Sequence, residues 1–161
     1  MARTHTIIDS PLGDLTLVAD GGALCAVYFP EHRHRPGPAT FGARDGGGFA
    51  EPARQLAEYF AGARTAFDLP TAAAGAAFQR RVWALVARIP YGQTSTYRAL
   101  AAALGNPALA RAVGAANGRN PLSVIVPCHR VLGSDGGLTG YGGGLDRKRR
   151  LLALERDALA G

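Results

Sequence analysis

The 161-residue sequence predicts an α+β fold, with a small antiparallel-sheet α/β domain at residues 1–73 and a mainly helical domain at residues 74–161. Three observations support this prediction. Apolar, β-branched runs broken by turn residues fill the first 30 residues, and apolar residues recur at helical spacing after residue 77. A TAAAGA segment, which is typical of a linker, separates the two patterns.

The N-terminal pattern indicates antiparallel strands followed by one helix. The apolar runs of IIDSPLGDLTLVADGGALCAVYF are interrupted at residues 10–13 and 20–22, and both interruptions have turn chemistry. Residues 31–48 are rich in Pro, Gly and charge and predict a long exposed loop. Helical spacing then appears at residues 49–61, and residues 67–70 predict a short strand.

The C-terminal pattern begins with three helices. The first carries one apolar stripe, formed by Phe78, Val82, Leu85, Val86 and Ile89. The second is capped from the TST segment at residues 94–96 and stops at Gly105. The third begins with Asn106 as cap and Pro107 at its first position. Two helices joined by this tight turn predict a helix-turn-helix.

The third helix is nearly bare, because Ala and Gly dominate it and Arg111 is its one long charged side chain. Small side chains allow close approach either to a nucleic-acid duplex or to a neighbouring helix, and composition leaves both interpretations open. After it, residues 123–126 (SVIV) predict a short buried strand. Asp146 is the expected cap of a last helix, on which Leu151, Leu152, Glu155 and Leu159 share a face.

The positive charge is concentrated in the C-terminal half. The chain has a net charge of +6, but residues 1–75 carry −2 and residues 76–161 carry +8. Lys148 is the only lysine, and guanidinium groups suit planar, bidentate partners such as phosphate. The alternative explanation of the many Arg, Ala and Gly residues is a GC-rich genome, and the two explanations are compatible. The asymmetry indicates a polyanion-binding face.

Several classes of protein are disfavoured. The N-terminal MARTHTIIDS lacks the apolar stretch of a secretory signal, and the longest uncharged runs are too short for a membrane span. Cys25 and Cys128 are the only cysteines, which excludes a disulfide framework and a four-cysteine zinc site. The protein is therefore expected to be cytoplasmic, with reduced thiols.

Cys128, His129 and Glu155 are the residues with reactive potential in the basic half. A cysteine becomes nucleophilic as the thiolate, so it needs a base or positive charge nearby. His129 can supply this, and Glu155 can orient the imidazole. Neighbouring side chains of an extended strand point apart. Contact between Cys128 and His129 therefore requires a turn or a bridging water. The alternative is a small buried cysteine beside an incidental histidine.

The wider sequence around these residues resembles the O6-alkylguanine-DNA alkyltransferase family, the methylated-DNA–protein-cysteine methyltransferases. IVPCHRV, with Asn120-Pro121 before it and YGGG after it, carries the resemblance. IDSPLG, FQRRVWALVARIPYGQTSTY, ARAVGAANGRNP and LTGYGGGLDRKRRLLALE follow the family in the same order. The resemblance implies a ribonuclease H-like N-terminal domain and a winged-helix-like C-terminal domain. It also implies single-turnover transfer of an alkyl group from guanine O6 in DNA to a cysteine.

The same resemblance implies roles for individual residues. Cys128 would accept the alkyl group, with His129 as base through a water and Glu155 holding His129. Asn120 would buttress the active-site turn, and Tyr97 would protonate the leaving base and crowd the 3′ phosphate. Arg111 would fill the space left by the flipped nucleotide. The implied DNA contacts are Tyr97, Arg98, Asn106, Ala110, Arg111, Gly114 and Ser134. Independently of the resemblance, we expect Arg98, Arg119 and Arg147 to contact phosphates and to give affinity that depends on salt and not on sequence. The implied base pocket comprises Phe78, Val131, Tyr141 and Gly142.

No cofactor or metal is expected. Some family members hold zinc in the N-terminal domain, but Cys25, His32 and His34 do not form a convincing ligand set. Gly142 stands where some relatives have Ser, so a wider pocket is expected.

The implied partner is double-stranded alkylated DNA, approached from the minor groove by a monomer, with cooperative assembly and O4-alkylthymine repair left open. A DNA-binding or damage-sensing module without chemistry, and a thiol hydrolase, are the competing functions.

Overall fold

The computed structural model describes residues 3–161; Met1 and Ala2, the start of the segment predicted to lack a secretory signal, lie outside them. The α+β prediction is confirmed. The sheet consists of β1 (Arg3–Ile8), β2 (Leu15–Asp20), β3 (Ala23–Tyr28) and β4 (Ala43–Arg44), in the order β3-β2-β1-β4. The first three strands are antiparallel neighbours, and β4 pairs parallel with β1.

Residues 31–48 are more regular than the predicted exposed loop. They contain a 3₁₀ helix (Pro38–Phe41) and strand β4. Phe41 is buried with Val18, Cys25 and Tyr28 on one face of the sheet, and its ring stacks on Tyr28 at 5.8 Å between centroids. One aromatic residue in a polar segment is therefore enough to attach the segment to the sheet. The strand predicted at residues 67–70 is wrong, because these residues are irregular and the isolated bridge to Leu24 is formed by Thr71, one residue later.

Five α-helices follow: α1 (Ala50–Phe60), α2 (Ala77–Val86), α3 (Tyr97–Ala103), α4 (Ala110–Gly118) and α5 (Leu145–Ala160). The predicted helix-turn-helix is formed by α3, a 3₁₀ turn (Pro107–Leu109) and α4. Thr96 caps α3 by accepting a hydrogen bond from Ala99 N at 3.1 Å. Asn106 caps the 3₁₀ turn through Ala108 N at 3.0 Å.

Two predictions for α5 are wrong. Gly144 precedes the helix as its cap, whereas Asp146 lies in the first turn and faces Arg149 at 3.8 Å on the surface. Leu159, predicted on the buried stripe, is 63% exposed because the helix extends past the core at its C-terminal end. Leu151 and Glu155 are fully buried as expected.

One hydrophobic core joins the two halves of the chain. Leu17 and Phe29 from the sheet pack in the same buried cluster as Val86 and Leu151 from the helices. Backbone contacts reinforce the junction, since Val27 N donates to Pro121 O at 2.8 Å. Within residues 3–161, no helix combines the length and the apolar character that crossing a bilayer would require.

Candidate active site

A tight turn, rather than the predicted strand, presents Cys128. Residues 123–126 form this turn, and Val124 adopts a φ of 72°, a conformation that strands do not use. The chain then enters a 3₁₀ helix (Cys128–Arg130). The side chains of Cys128 and His129 therefore do not project to opposite sides, as neighbouring side chains on a strand would. Asn120 stabilises the turn: its Nδ2 donates to Val126 O and its Oδ1 accepts from Leu122 N, each at 3.0 Å.

Glu155 on α5 is the centre of a buried polar cluster. Its Oε2 accepts hydrogen bonds from His129 Nε2 at 2.7 Å, Tyr59 Oη at 2.6 Å and Arg130 Nη2 at 2.9 Å. Its Oε1 accepts from Arg130 Nε at 2.8 Å and from Gly92 N at 3.1 Å. The predicted pairing of His129 with Glu155 is thus present, and Arg130 compensates the carboxylate charge in the core.

This cluster fixes the tautomer of His129. Burial raises the pKa of Glu155, but hydrogen bonds from His129 and Arg130 outweigh burial and bring the pKa to about 2. Because the ionised carboxylate can only accept, His129 Nε2 must carry a proton. Burial also lowers the pKa of His129, so its ring is neutral and Nδ1 presents a lone pair. Nδ1 is buried and has no hydrogen-bond partner within residues 3–161, which leaves it available as a base.

The Cys128 thiol is enclosed and protonated in this state. The residue is 4% exposed, and burial raises the pKa of its thiol to about 11. The side chains of Asn120 and Tyr141 and the charge of Lys148 act in the opposite direction. A thiolate at neutral pH therefore requires a base or a positive charge near the thiol.

Lys148 is a buried cation that secures the loop after Cys128. Its Nζ donates to Val131 O at 2.6 Å, Thr139 O at 2.7 Å and Gly140 O at 3.2 Å. Val131 precedes the Gly-rich loop at residues 133–144, and Thr139 and Gly140 lie near its middle. One ammonium group therefore ties the centre of the loop to the segment that follows Cys128. Burial lowers the pKa of Lys148 to about 8, which still leaves the group mostly charged at neutral pH.

A cavity of about 260 Å³ opens between α4, Tyr97 and the Gly-rich loop. Tyr141 and Gly142, two of the predicted pocket residues, line it, and the Tyr97 hydroxyl donates to Thr139 O at 3.2 Å beside it. The other two predicted pocket residues lie elsewhere. Phe78 packs against the core from α2, and Val131 is fully buried in strand β6 (Val131–Leu132), which pairs with β5 (Ser95–Thr96).

Gly142 does not leave the open space that its missing side chain suggested. A Cβ atom at this position would lie 2.5 Å from His32 Nε2, so the imidazole occupies that room. His32 is 7% exposed and stacks on Phe29 with 6.2 Å between ring centroids. The pocket is therefore closed on this side by a residue from the N-terminal half.

The side chains predicted to contact DNA occupy different environments. Arg98, Asn106, Arg111, Arg119 and Ser134 are exposed, and Ala110 and Gly114 are half-buried on α4. Arg147 departs from its predicted phosphate contact, because its guanidinium is engaged internally. Its Nε donates to Leu12 O at 2.8 Å, and the group lies 4.9 Å from the centre of the Phe29 ring.

Sequence reasoning missed Arg130, Tyr59, His32 and Lys148. Arg130 adjoins His129 in the sequence, so its participation could have been anticipated once Glu155 was recognised as a buried charge. Lys148 carried a signal in being the only lysine of an Arg-rich chain. Tyr59 and His32 gave no local signal, because packing between distant segments alone brings them to the site.

Comparison with known proteins agrees with this arrangement. Two family models match, the ribonuclease-like domain of 6-O-methylguanine DNA methyltransferase at residues 4–73 and its DNA binding domain at residues 77–157. A methylated-DNA–protein-cysteine methyltransferase of Mycobacterium tuberculosis is 49% identical over 152 residues, which cover 94% of this chain and 92% of the relative. One from Methanosarcina barkeri is 44% identical, covering 96% and 98%.

Solved structures show the same similarity. The crystal structure of Mycobacterium tuberculosis OGT in complex with DNA superposes with a TM-score of 0.90 at 47% identity and covers 96% of this chain and 94% of that one. These matches span both halves of the sequence and include the segment around Cys128. The chain belongs to the 6-O-methylguanine DNA methyltransferase family.

Proposed function

We propose that this protein repairs DNA by direct reversal, moving the alkyl group of an O6-alkylguanine onto Cys128. The observation that carries the proposal is the buried Glu155–His129 pair beside Cys128, which leaves His129 Nδ1 as a free base. The activity is that of a methylated-DNA–protein-cysteine S-methyltransferase. The protein acts once, because a thioether is stable and nothing in the site would remove the alkyl group.

The reaction is an in-line displacement at the alkyl carbon. The Cys128 proton passes through a bridging water to His129 Nδ1, and the thiolate forms the new S–C bond while the O6–C bond breaks. The electron pair of the broken bond passes to guanine, which takes a proton from the Tyr97 hydroxyl. Asn120 keeps the turn that precedes Cys128 in place through its two hydrogen bonds, which fixes the position of the thiol.

The substrate base must leave the duplex to reach a buried thiol, and extrusion costs a few kcal/mol. Insertion of Arg111 into the vacated space, with α4 in the minor groove, offsets this cost. The base enters the cavity between Tyr97, Tyr141 and Gly142. Phe78 and Val131 support its walls from the core rather than touching the cavity. O4-alkylthymine is a further substrate to test.

Sequence-independent contacts suit a repair protein, since damage occurs in any sequence. Arg98 and Arg119 are exposed and available to phosphates, as are Asn106 and Ser134 at loop positions. Ala110 and Gly114 contribute small side chains to the surface of α4, which allows close approach to the duplex.

The protein binds double-stranded DNA as a monomer, and cooperative assembly is a property to measure. We place it in the cytoplasm, where the acceptor thiol stays reduced.

We also propose that residues 1–73 and 74–161 form two domains joined by the linker. The shared core and the Tyr59–Glu155 hydrogen bond make the N-terminal domain a structural support of the active site.

Intact-mass measurement after mixing with an O6-methylguanine duplex tests the proposed reaction. The protein should gain one methyl group and stop at one equivalent, while Cys128→Ser, which keeps a hydroxyl in place of the thiol, should gain none. Binding without a mass change would indicate a damage-sensing module. Catalytic turnover without an adduct would indicate a thiol hydrolase. A wild-type protein without an adduct, or an adduct retained in Cys128→Ser, would contradict the proposal.

A further inference from the structure

Three basic side chains from distant parts of the chain meet beside the candidate base pocket. Arg33 and His34 lie in the loop after β3, and Arg119 directly follows α4. All three line the 260 Å³ cavity described above. They also line a second cavity of about 220 Å³, which reaches Trp83 and Asn120. We call Arg33, His34 and Arg119 the cationic ridge, since they lie between the two cavities.

The loop that carries two of these residues is held by hydrogen bonds on both sides of His34. Arg33 N donates a hydrogen bond to Gly142 O at 2.6 Å, which attaches the loop to the wall of the base pocket. Two residues later, Arg35 Nη1 donates to Pro30 O at 2.8 Å, and its Nη2 donates to Thr16 Oγ1 at 3.0 Å. The loop backbone therefore holds the Arg33 and His34 side chains beside the cavity.

The two guanidinium charges of the cationic ridge, on Arg33 and Arg119, are uncompensated. All three side chains are exposed, and none forms an ion pair or a side-chain hydrogen bond with another residue of the part of the chain that the structure describes. The pKa of His34 is lowered, by desolvation and by the positive charges of Arg119 and Arg33. His34 also adopts a φ of 60°, a strained conformation for a residue with a side chain. Like charges held together at such a position favour an anionic partner.

We infer that the cationic ridge binds a phosphodiester of the alkylated strand, next to the nucleotide whose base enters the cavity. This inference rests on the proposed function. Guanidinium groups from both halves of the chain can hold phosphate oxygens in bidentate fashion, and the neutral His34 ring can donate one further hydrogen bond. The N-terminal half, whose net charge is −2 over residues 1–75, thereby contributes directly to DNA binding.

Arg33→Ala tests the inference, because it removes the guanidinium but keeps the backbone N–H that bonds Gly142. Two measurements are needed: affinity for an unmodified fluorescent duplex over a range of salt concentrations, and alkyl-transfer rates from duplex and from free O6-benzylguanine. The slope of log affinity against log salt should fall by about 0.9, the value for one lost phosphate contact. The ratio of the duplex rate to the free-base rate should fall about tenfold at limiting DNA.

Arg44→Ala is the matched control, since Arg44 is an exposed arginine of the same domain on strand β4 and does not line either cavity. It should keep the wild-type slope and rate ratio. An Arg33→Ala slope equal to that of Arg44→Ala would overturn the inference. Parallel losses on duplex and free base would overturn it too, because they would mean that Arg33 only shapes the cavity. If the wild type transfers no alkyl group but Arg33→Ala still lowers the slope, the proposed function fails and the phosphate site stands.

Discussion

At the scale of single residues, Glu155 fixes the hydrogen-bonding pattern of the candidate site. Its carboxylate receives five hydrogen bonds in a position that is fully buried, and the pKa of about 2 keeps it ionised. The ionised form holds the proton on His129 Nε2 and so defines which ring nitrogen can act as base. A helical repeat in the sequence was sufficient to place Glu155 on the buried face of its helix. The identity of its donors depended on Tyr59, 96 residues away, and could not be predicted locally.

Glu155→Gln should therefore impair both folding and reaction. The amide has one acceptor oxygen and an NH₂ group that faces donors, and it leaves the buried Arg130 guanidinium without a counter-ion. We expect the free energy of unfolding to fall by about 3 kcal/mol and the alkyl-transfer rate by at least about tenfold. Chemical unfolding and single-turnover kinetics with free O6-benzylguanine measure the two effects.

Tyr59→Phe is the comparison that separates stability from chemistry. It removes one donor to Glu155 but leaves the contacts of Arg130 and His129 with the carboxylate. The expected loss is about 1 kcal/mol of stability, with the alkyl-transfer rate kept within about threefold. Equal rates for Glu155→Gln and the wild type would reduce Glu155 to a structural residue.

At the scale of elements, α4 presents a face that is suited to close contact with a duplex. Arg111, Ala112 and Ala115 are exposed on it, whereas Val113 and Ala116 face the core. The Trp83 Nε1 donates to Ala116 O at 2.8 Å and fixes the helix against α2. Helix periodicity and the Asn-Pro cap predicted this element well. The bare surface left two interpretations open, and the structure places small residues on both its exposed and its buried sides.

Ala112→Leu should weaken duplex binding without unfolding the protein. The larger side chain projects from the exposed face and prevents close approach of α4 to the minor groove, so we expect at least a tenfold loss of affinity, or about 1.4 kcal/mol. Stability should change by less than about 0.5 kcal/mol, because the position is on the surface. Fluorescence anisotropy and thermal unfolding measure these quantities.

The matched substitution Ala57→Leu lies on the exposed side of α1 and should leave duplex affinity unchanged. Wild-type affinity in Ala112→Leu would argue against insertion of α4 into the groove.

The turn at residues 123–126 shows why one element was wrongly predicted. Three β-branched residues, Val124, Ile125 and Val126, have the composition of a strand. The turn instead depends on the Asn120 side chain, on the bridge between Leu122 and Val27, and on a positive φ at Val124. These are tertiary constraints, which override local propensity and which a single sequence does not reveal.

At the scale of the whole molecule, the two halves depend on one another. The −2 and +8 charges of the two halves predicted that the polyanion-binding face belongs to the C-terminal half. The structure instead brings Arg33 and His32 of the acidic half to the pocket walls, since the Gly142 loop packs against them. Net charge over a segment does not specify where each charge lies in the fold, and this part of the site could not be predicted from composition.

The pH dependence of stability should reveal the buried His32. Burial lowers its pKa from 6.5 to about 4, so between these values the unfolded chain binds a proton that the folded protein does not. The free energy of unfolding should therefore fall as the pH decreases from 6.5 to 4, by up to roughly 3 kcal/mol from this group. Buried His129, whose pKa is also lowered, contributes in the same direction.

Urea unfolding at several pH values measures this dependence for the wild type and His32→Gln. The variant should show a shallower dependence, by up to one proton, between pH 4 and 6.5. His34→Gln, in the same loop but exposed, should alter it less. Identical pH profiles for His32→Gln and the wild type would mean that His32 is not buried as a neutral ring.

The burial of Lys148 has a consequence for the outer surface. Because this is the only lysine of the chain and it is fully enclosed, every permanent positive charge on the surface of residues 3–161 is a guanidinium. Guanidinium groups keep their charge above pH 12, whereas surface ammonium groups discharge near pH 10.4. Acetyl transfer to lysine, which neutralises the nucleic-acid-binding surface of many proteins, finds no accessible side-chain amine on this fold. The guanidinium charge of this surface is thus retained at alkaline pH and after treatment with reagents that acylate amines.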